Sequence, residues 1–194
     1  LADEPFGLSL ELDLRPAAVV NVTLLRPSTW CTEMRTATPT CGAGEVLDIL
    51  IAFDAPVALN NPEEAHLLLN SGSCYIPRTD GLDHQNCEGG TAYYKYSKDD
   101  EYGASILRFE YVVQEGDTTA ALDVLNASSL RGDFKRFASP SSVGLVDNTV
   151  PLAGAQHSMS RIGPVVKIDT IPPKVDALFA LKRSGIYVAG ETVL

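Results

Sequence analysis

The chain has 194 residues, 45% of them hydrophobic, with 25 acidic against 15 basic side chains and a formal net charge of −10. That length is ample to bury a core, and an acidic balance without Lys/Arg clusters excludes nucleic acid and anionic membrane surfaces as partners. No apolar run approaches the ~20 residues of a membrane span, and Leu1-Ala2-Asp3-Glu4-Pro5 lacks the features of a signal peptide, so the sequence reads as one that starts inside a longer protein.

In chain order, Leu8, Leu10 and Leu12 alternate with Ser9, Glu11 and Asp13 until Arg15-Pro16 breaks the pattern. Val19 to Leu25 is the first full strand expected. Val20, Val22 and Leu24 are read as inward, which leaves Asn21 and Thr23 of an Asn-x-Thr glycosylation acceptor outside. A hairpin with Trp30 and Cys31 to Cys41 follows. Leu47, Ile49, Ile51 and Phe53 then alternate with Asp48, Leu50 and Ala52, a strand with one wet face. Pro56 and Asn60-Asn61-Pro62 are read as its turn, and His66 to Asn70 as a short strand.

Cys74 to Cys87 encloses a loop with Asp80, Asp83 and His84. Tyr93, Tyr94 and Tyr96 have β-prone composition. Ser97 to Gly103, with Asp99-Asp100-Glu101, reads as a solvated turn. Ile106 to Gln114 gives the clearest strand, with Leu107, Phe109, Tyr111 and Val113 inward and Arg108 and Glu110 outward. Glu115-Gly116-Asp117 turns the chain, and Ala121 to Leu125 is the next strand expected. Asn126-Ala127-Ser128 is a second glycosylation acceptor in a loop. From Asn126 to Ser160 the composition points to short strands and a long surface connection. Arg131-Gly132-Asp133 is the tripeptide of integrin ligands, and equally a turn between two strands. No amphipathic helix is predicted.

Cys31 with Cys41 and Cys74 with Cys87 form two local pairs whose spacing does not suit zinc. Read as disulfides, each closes a short loop and is worth on the order of 3 kcal/mol, which requires an oxidising compartment. The alternative is four reduced buried thiols. Disulfides and glycosylation acceptors together favour an extracellular or cell-surface eukaryotic protein. His66, His84 and His157 lie in unrelated contexts without a G-x-S-x-G elbow or a phosphate-binding glycine loop, so no enzyme is expected.

The stretch Val165 to Glu191 organises the rest. Val166 and Ile168 alternate with Lys167 and Asp169. Pro172-Pro173 then ends the sheet ladder and stiffens the chain, and Val175, Ala177, Phe179 and Leu181 begin to alternate anew. Ile168-Asp169-Thr170-Ile171-Pro172-Pro173-Lys174-Val175, followed by Gly185-Ile186-Tyr187-Val188-Ala189-Gly190-Glu191, resembles the joint between immunoglobulin-like or cadherin-like β-sandwich repeats of very large secreted and surface proteins, including bacterial adhesins. Gly44 to Phe53 with Ala55-Pro56-Val57 looks like the second strand of such a repeat. Phe109 to Asp117 looks like its later "Y-x-V-x-x-G-D" strand and turn. The resemblance covers roughly residues 44 to 191.

What it implies is an all-β, immunoglobulin-like antiparallel sandwich with Greek-key connections, flanked by partial neighbouring repeats. Residues 1–14 are then the tail of a preceding repeat or an edge strand, 15–171 the sandwich and 172–194 the start of the next repeat. Glu11 to Pro16 matches the later joint about 150 residues on, a period of whole domains rather than of a solenoid. The expected function is structural: mechanical extension, with lateral or end-to-end assembly of a filament, stalk or wall. Its partners are then neighbouring repeats and other copies of the protein. The alternative is an adhesive module binding a glycan, surface or receptor through Tyr93, Tyr94, Tyr96, Arg131 and Asp133. The resemblance also implies calcium at the joints, held by Asp169, Asp13 and Asp117 with Glu45, Asp176 and Glu191 as companions. Paired prolines stiffen a linker without metal, and no other cofactor is expected.

Overall fold

A computed structural model describes residues 15–25, 31, 38–72, 90–95, 103–137 and 145–172. Asp13, Cys74, Cys87, Tyr96, Asp176, Glu191, residues 1–14 and everything from Pro173 onward lie outside these described residues.

Among the described residues the regular structure is mostly β-strand, with one 3-10 turn at Pro62–Glu64 and one short helix. Its elements are β1 (Ala17–Leu25), β2 (Thr40–Cys41), β3 (Val46–Leu59), β4 (His66–Leu68), β5 (Thr91–Tyr94), β6 (Ala104–Val112), β7 (Thr118–Thr119), β8 (Leu130–Arg131), β9 (Phe134–Arg136), β10 (Val146–Asp147), a single helical turn α1 (Met159–Ile162) and β11 (Lys167–Asp169). The larger sheet runs β10-β1-β3-β6-β5-β4-β8, with β9 paired to β3, and the smaller runs β2-β11-β7. Two pairings, β1 with β10 and β11 with β2, are parallel, so the expected purely antiparallel arrangement is corrected there. No helix among the described residues is long and apolar enough to cross a membrane.

Both sheets feed one core. Val22, Leu47, Ile49, Ile51, Leu107, Phe109 and Tyr111 from the large sheet belong to the same buried cluster as Cys41 and Ile168 from the small one. Burying each large aliphatic side chain contributes about 1.5–3 kcal/mol, so this cluster is the main favourable contribution to the fold. Val166 and Ile168 are buried while Lys167 and Asp169 are half-exposed, as their alternation predicts.

Three strand readings change. β3 does not stop before Pro56. Its odd-numbered residues from Leu47 through Phe53 and Val57 keep facing the core, and beyond Pro56 the strand changes partner, with Val57 to Leu59 pairing β9. Pro56 sits where the β3–β6 register shifts, so its missing N–H breaks no ladder bond, and its carbonyl accepts the Phe137 N–H at 2.8 Å.

In β1 the register moves between Val19↔Phe53 and Asn21↔Ala52, which makes Val20 the extra residue of a β-bulge. Val20 is therefore 42% exposed instead of inward, while Val22 and Leu24 are buried as expected.

Ala121 to Leu125 forms no strand beyond the single Leu69↔Val124 bridge. The reason is Asp123, which is 1% exposed. Its N–H goes to the Asn70 side chain instead of the Asn70 carbonyl, and its carboxylate to the turn leading into α1, so the ladder does not extend past the Leu69↔Val124 bridge. Asn70 Oδ1 accepts the Asp123 N–H, and Asn70 donates its own N–H to the Asp123 carbonyl. Asp123 Oδ2 accepts the Ser160 N–H at 3.0 Å, with the Ser160 hydroxyl also donating to it. The unpredicted helical turn α1 is thereby capped by a buried carboxylate from another part of the chain.

Candidate functional site

Alternation in each strand of the large sheet turns one set of side chains to the core and the other to an open face. Ala92 faces the core and Tyr93 the open face; Leu67 the core and His66 the open face; Leu130 the core and Arg131 the open face. The register aligns the outward set across strands, with Arg131 opposite His66, His66 opposite Tyr93, Tyr93 opposite Glu110, Glu110 opposite Asp48 and Asp48 opposite Leu25. Facing residues on neighbouring strands are about 4.5–5.5 Å apart, so these six form one continuous row.

The row carries its own electrostatics. Arg108 donates from Nε and Nη2 to the two carboxylate oxygens of Asp48 at 2.8 and 2.7 Å, and Lys95 lies 3.0 Å from Glu110. The Asp48 hydrogen bond holds the Arg108 guanidinium above its ordinary range. The His66 Nδ1–H donates to the Glu64 carbonyl at 2.8 Å, and the ring stands 6.4 Å from that of Tyr93. Tyr93 is 60% exposed. An exposed phenol flanked by an imidazole and a carboxylate, with a guanidinium one strand further on, suits contact with a polar surface or a sugar, because the ring stacks while its neighbours hydrogen-bond.

Two candidates for binding, Tyr93 and Arg131, are thus brought onto one face, with His66 between them. Tyr94 is not: one residue on, it points the other way, and its ring packs edge-on to Phe109 with centroids 5.7 Å apart. Asp133 lies in the turn, Gly132-Asp133, that joins β8 to β9. Its Oδ2 accepts the Asn60 amide at 2.7 Å, and Gly132 has φ +143° with a would-be Cβ 3.1 Å from Ala65. The Arg131-Gly132-Asp133 tripeptide therefore spans a turn between strands, with all three residues exposed and no room for a side chain at Gly132. His66 had no local signature in the sequence, since only strand register puts it beside Tyr93 and Arg131.

The two glycosylation acceptors differ. Asn21 and Thr23 share the open face, opposite the buried Val22 and Leu24. Asn126 is exposed, and its Oδ1 accepts both the N–H and the hydroxyl of Ser128 in a closed turn.

At the end of the small sheet, the residues before the prolines are tied down. Thr170 Oγ1 accepts the Gly116 N–H at 2.9 Å and donates to the Asp117 carbonyl at 2.9 Å. Asp169 accepts Lys167 Nζ at 2.7 Å and the Ile171 N–H at 3.3 Å, and Lys167 chiefly holds its carboxyl below the usual carboxylate range. Ile168 lies beside Cys41, which is disulfide-bonded to Cys31 with a Cα–Cα separation of 4.4 Å. Glu45 Oε2 accepts the Gly42 N–H at 2.6 Å. It lies with both sulfurs in a cluster whose atoms are within 4.8 Å of one another, but in the disulfide those sulfurs are not metal ligands.

The described calcium candidates, Asp117, Asp169 and Glu45, are each already engaged by a protein donor. Asp117 is buried and accepts the Tyr111 hydroxyl and the Gln114 N–H.

Comparison with known proteins finds no family model, no curated protein and no solved structure that matches the chain.

Proposed function

We propose that the chain is a structural module of a long extracellular protein, an immunoglobulin-like sandwich repeat that bears load and transmits it to the next repeat through the proline joint. Residues 15–171 form the module in this reading, with residues 1–14 and 172–194 belonging to its neighbours.

The observation that carries the proposal is the anchoring of β11 just before Pro172. Thr170 is clamped to the Glu115 to Asp117 turn, Asp169 to Lys167 and Ile171, and Ile168 is held between β2 and β7. A tether pulling on Pro172 therefore meets two flanking strands and four polar contacts before it reaches the core. The strand order supports the sandwich reading: β4, β5 and β6 follow one another, and β3, which precedes them, lies beside β6, the adjacency of a Greek key. Partners in this role are adjoining repeats and other copies of the chain.

The test is extension of the protein held at its two ends in a single-molecule force experiment. A discrete unfolding event is expected, with the released length growing by roughly 35 Å when Cys31–Cys41, 10 residues apart, is reduced. Smooth extension without a resolved event would sink the mechanical reading.

A second reading, an adhesive module, is favoured by the Arg131–His66–Tyr93 row on the open face. Its test is retention of the protein on immobilised glycans, with loss in Tyr93→Ala and Arg131→Ala.

A further inference from the structure

The open face of the large sheet is polar along the Arg131 to Asp48 row, yet apolar at its β1 end. Asn21 lies opposite Ala52, and Ala52 opposite Ile106, while Thr23 lies opposite Leu50. Ile106 is 56% exposed and Val20, expelled by the bulge, 42% exposed. Four apolar side chains, Val20, Leu50, Ala52 and Ile106, thus share that face with an Asn-x-Thr acceptor whose asparagine and threonine both stand on it.

The Asn21 amide shares with Asn61, and not with Asn60, Asn70, Asn126 or Asn148, the lack of a side-chain hydrogen bond to the described residues. Asn60, Asn70 and Asn148 each donate from the side-chain amide to a protein oxygen, and Asn126 accepts from Ser128. Among the described residues, none hydrogen-bonds the Asn21 side chain. A half-buried asparagine has poor strand propensity, and among the described residues no side-chain partner offsets it.

We infer that Asn21 carries an N-linked glycan whose first sugars lie across β3 onto Ile106, covering the patch formed by Val20, Leu50, Ala52 and Ile106. In the transfer, Asn21 Nδ2 forms a bond to the anomeric carbon of a lipid-linked oligosaccharide. The bond from that carbon to the diphosphate oxygen breaks, the lipid diphosphate leaves, and the amide gives up one proton. Transfer precedes folding, so the strand conformation is no obstacle, while the folded sheet decides where the sugar rests. Ile106 is two strand spacings from Asn21, about 10 Å, which the first two sugars span. The C–H faces of those sugars meet the aliphatic side chains, and their hydroxyls meet water and Thr23's neighbours. The inference needs only passage through a secretory pathway holding the transferase, and does not depend on the mechanical role.

The experiment uses the full chain secreted from a eukaryotic host, as wild type, Thr23→Val, Ile106→Ser and the double variant. Thr23→Val removes the acceptor while keeping strand propensity, and Ile106→Ser alters an exposed residue without opening the core. The same four chains from a host lacking the transferase report the effect of the substitutions alone. Glycopeptide mapping is expected to find Asn21 occupied. The glycan is expected to raise Tm by about 2–4 °C in the wild-type background and by at most about half as much beside Ile106→Ser. An unmodified Asn21, or a glycan effect of the same size in both backgrounds, would overturn the inference.

Discussion

Tyr111 donates a 2.6 Å hydrogen bond to the carboxylate of Asp117, and both residues are buried. The same oxygen, Oδ2, accepts the Gln114 N–H at 2.9 Å, and Ser71 donates to the Tyr111 hydroxyl at 2.9 Å. Gly116, at φ +91°, turns the chain so that Asp117 can come back to the strand it has just left. The Y-x-V-x-x-G-D pattern is thus a strand end fastened to its own turn.

Removing that fastening strands polar groups in the core. Asp117→Ala is expected to lower stability by about 2–4 kcal/mol, because the Tyr111 hydroxyl and Gln114 N–H lose a shared acceptor. Tyr111→Phe costs about 1–2 kcal/mol. Urea unfolding checks both, and an Asp117→Ala effect below that of Tyr111→Phe would contradict the arrangement.

Alkaline pH probes the same contact. Burial first, and then the Asp117 hydrogen bond, pushes the Tyr111 phenol well above its ordinary value. The folded state therefore favours the neutral ring. This contribution is whole below about pH 10, where the unfolded phenol titrates, and is lost as pH rises toward the raised folded value. Stability measured from pH 8 upward is expected to fall more steeply in wild type than in Tyr111→Phe. Parallel slopes would remove the assignment.

Asp123 is predicted to control a region distant from it in sequence. Asp123→Ala frees the Ser160 N–H and hydroxyl and the Val124 N–H, which now bond its two oxygens. The expected loss is about 2–4 kcal/mol. Amide exchange should accelerate through Gly154 to Ile162 first, and unchanged protection there would contradict the capping role.

Charges on the open face should matter little to folding. Arg108, with 48% of its side chain exposed, and Asp48 form a surface ion pair, worth about 0–1 kcal/mol. Asp48→Ala is expected to stay within about 1 kcal/mol of wild type. Tyr93→Ala and Arg131→Ala should do the same, so any loss of glycan retention in them would reflect contact and not unfolding.

Calcium should leave the described fold unmoved. With Asp117, Asp169 and Glu45 each bound to a protein donor, melting in chelator and in millimolar calcium is expected to agree within about 1 °C. A rise of several degrees with calcium would show that the joint recruits oxygens beyond these contacts.

Much of this was legible in the sequence because alternation is a local property. Leu47, Ile49, Ile51 and Phe53, then Leu107, Phe109, Tyr111 and Val113, and Val166 with Ile168 all face the core, since period-two patterning maps directly onto the two faces of a strand. Of the open face, Tyr93 and Arg131 were legible only as separate residues. What local pattern does not encode is register. The Val20 bulge, the continuation of β3 through Pro56 and the parallel pairing of β11 with β2 all depend on which strand lies alongside, a partner that can be a hundred residues away. Asp123 reads locally as a polar break in an apolar run. Only the folded chain supplies the Asn70, Gly154 and Ser160 groups that make its burial tolerable. By itself, then, the sequence determined which side chains of the regular strands face the core and the turn at Glu115-Gly116-Asp117. Tertiary structure alone decided which outward residues meet, because bringing Arg131, His66 and Tyr93 into one row requires three separate strands to be aligned by their backbone hydrogen bonds.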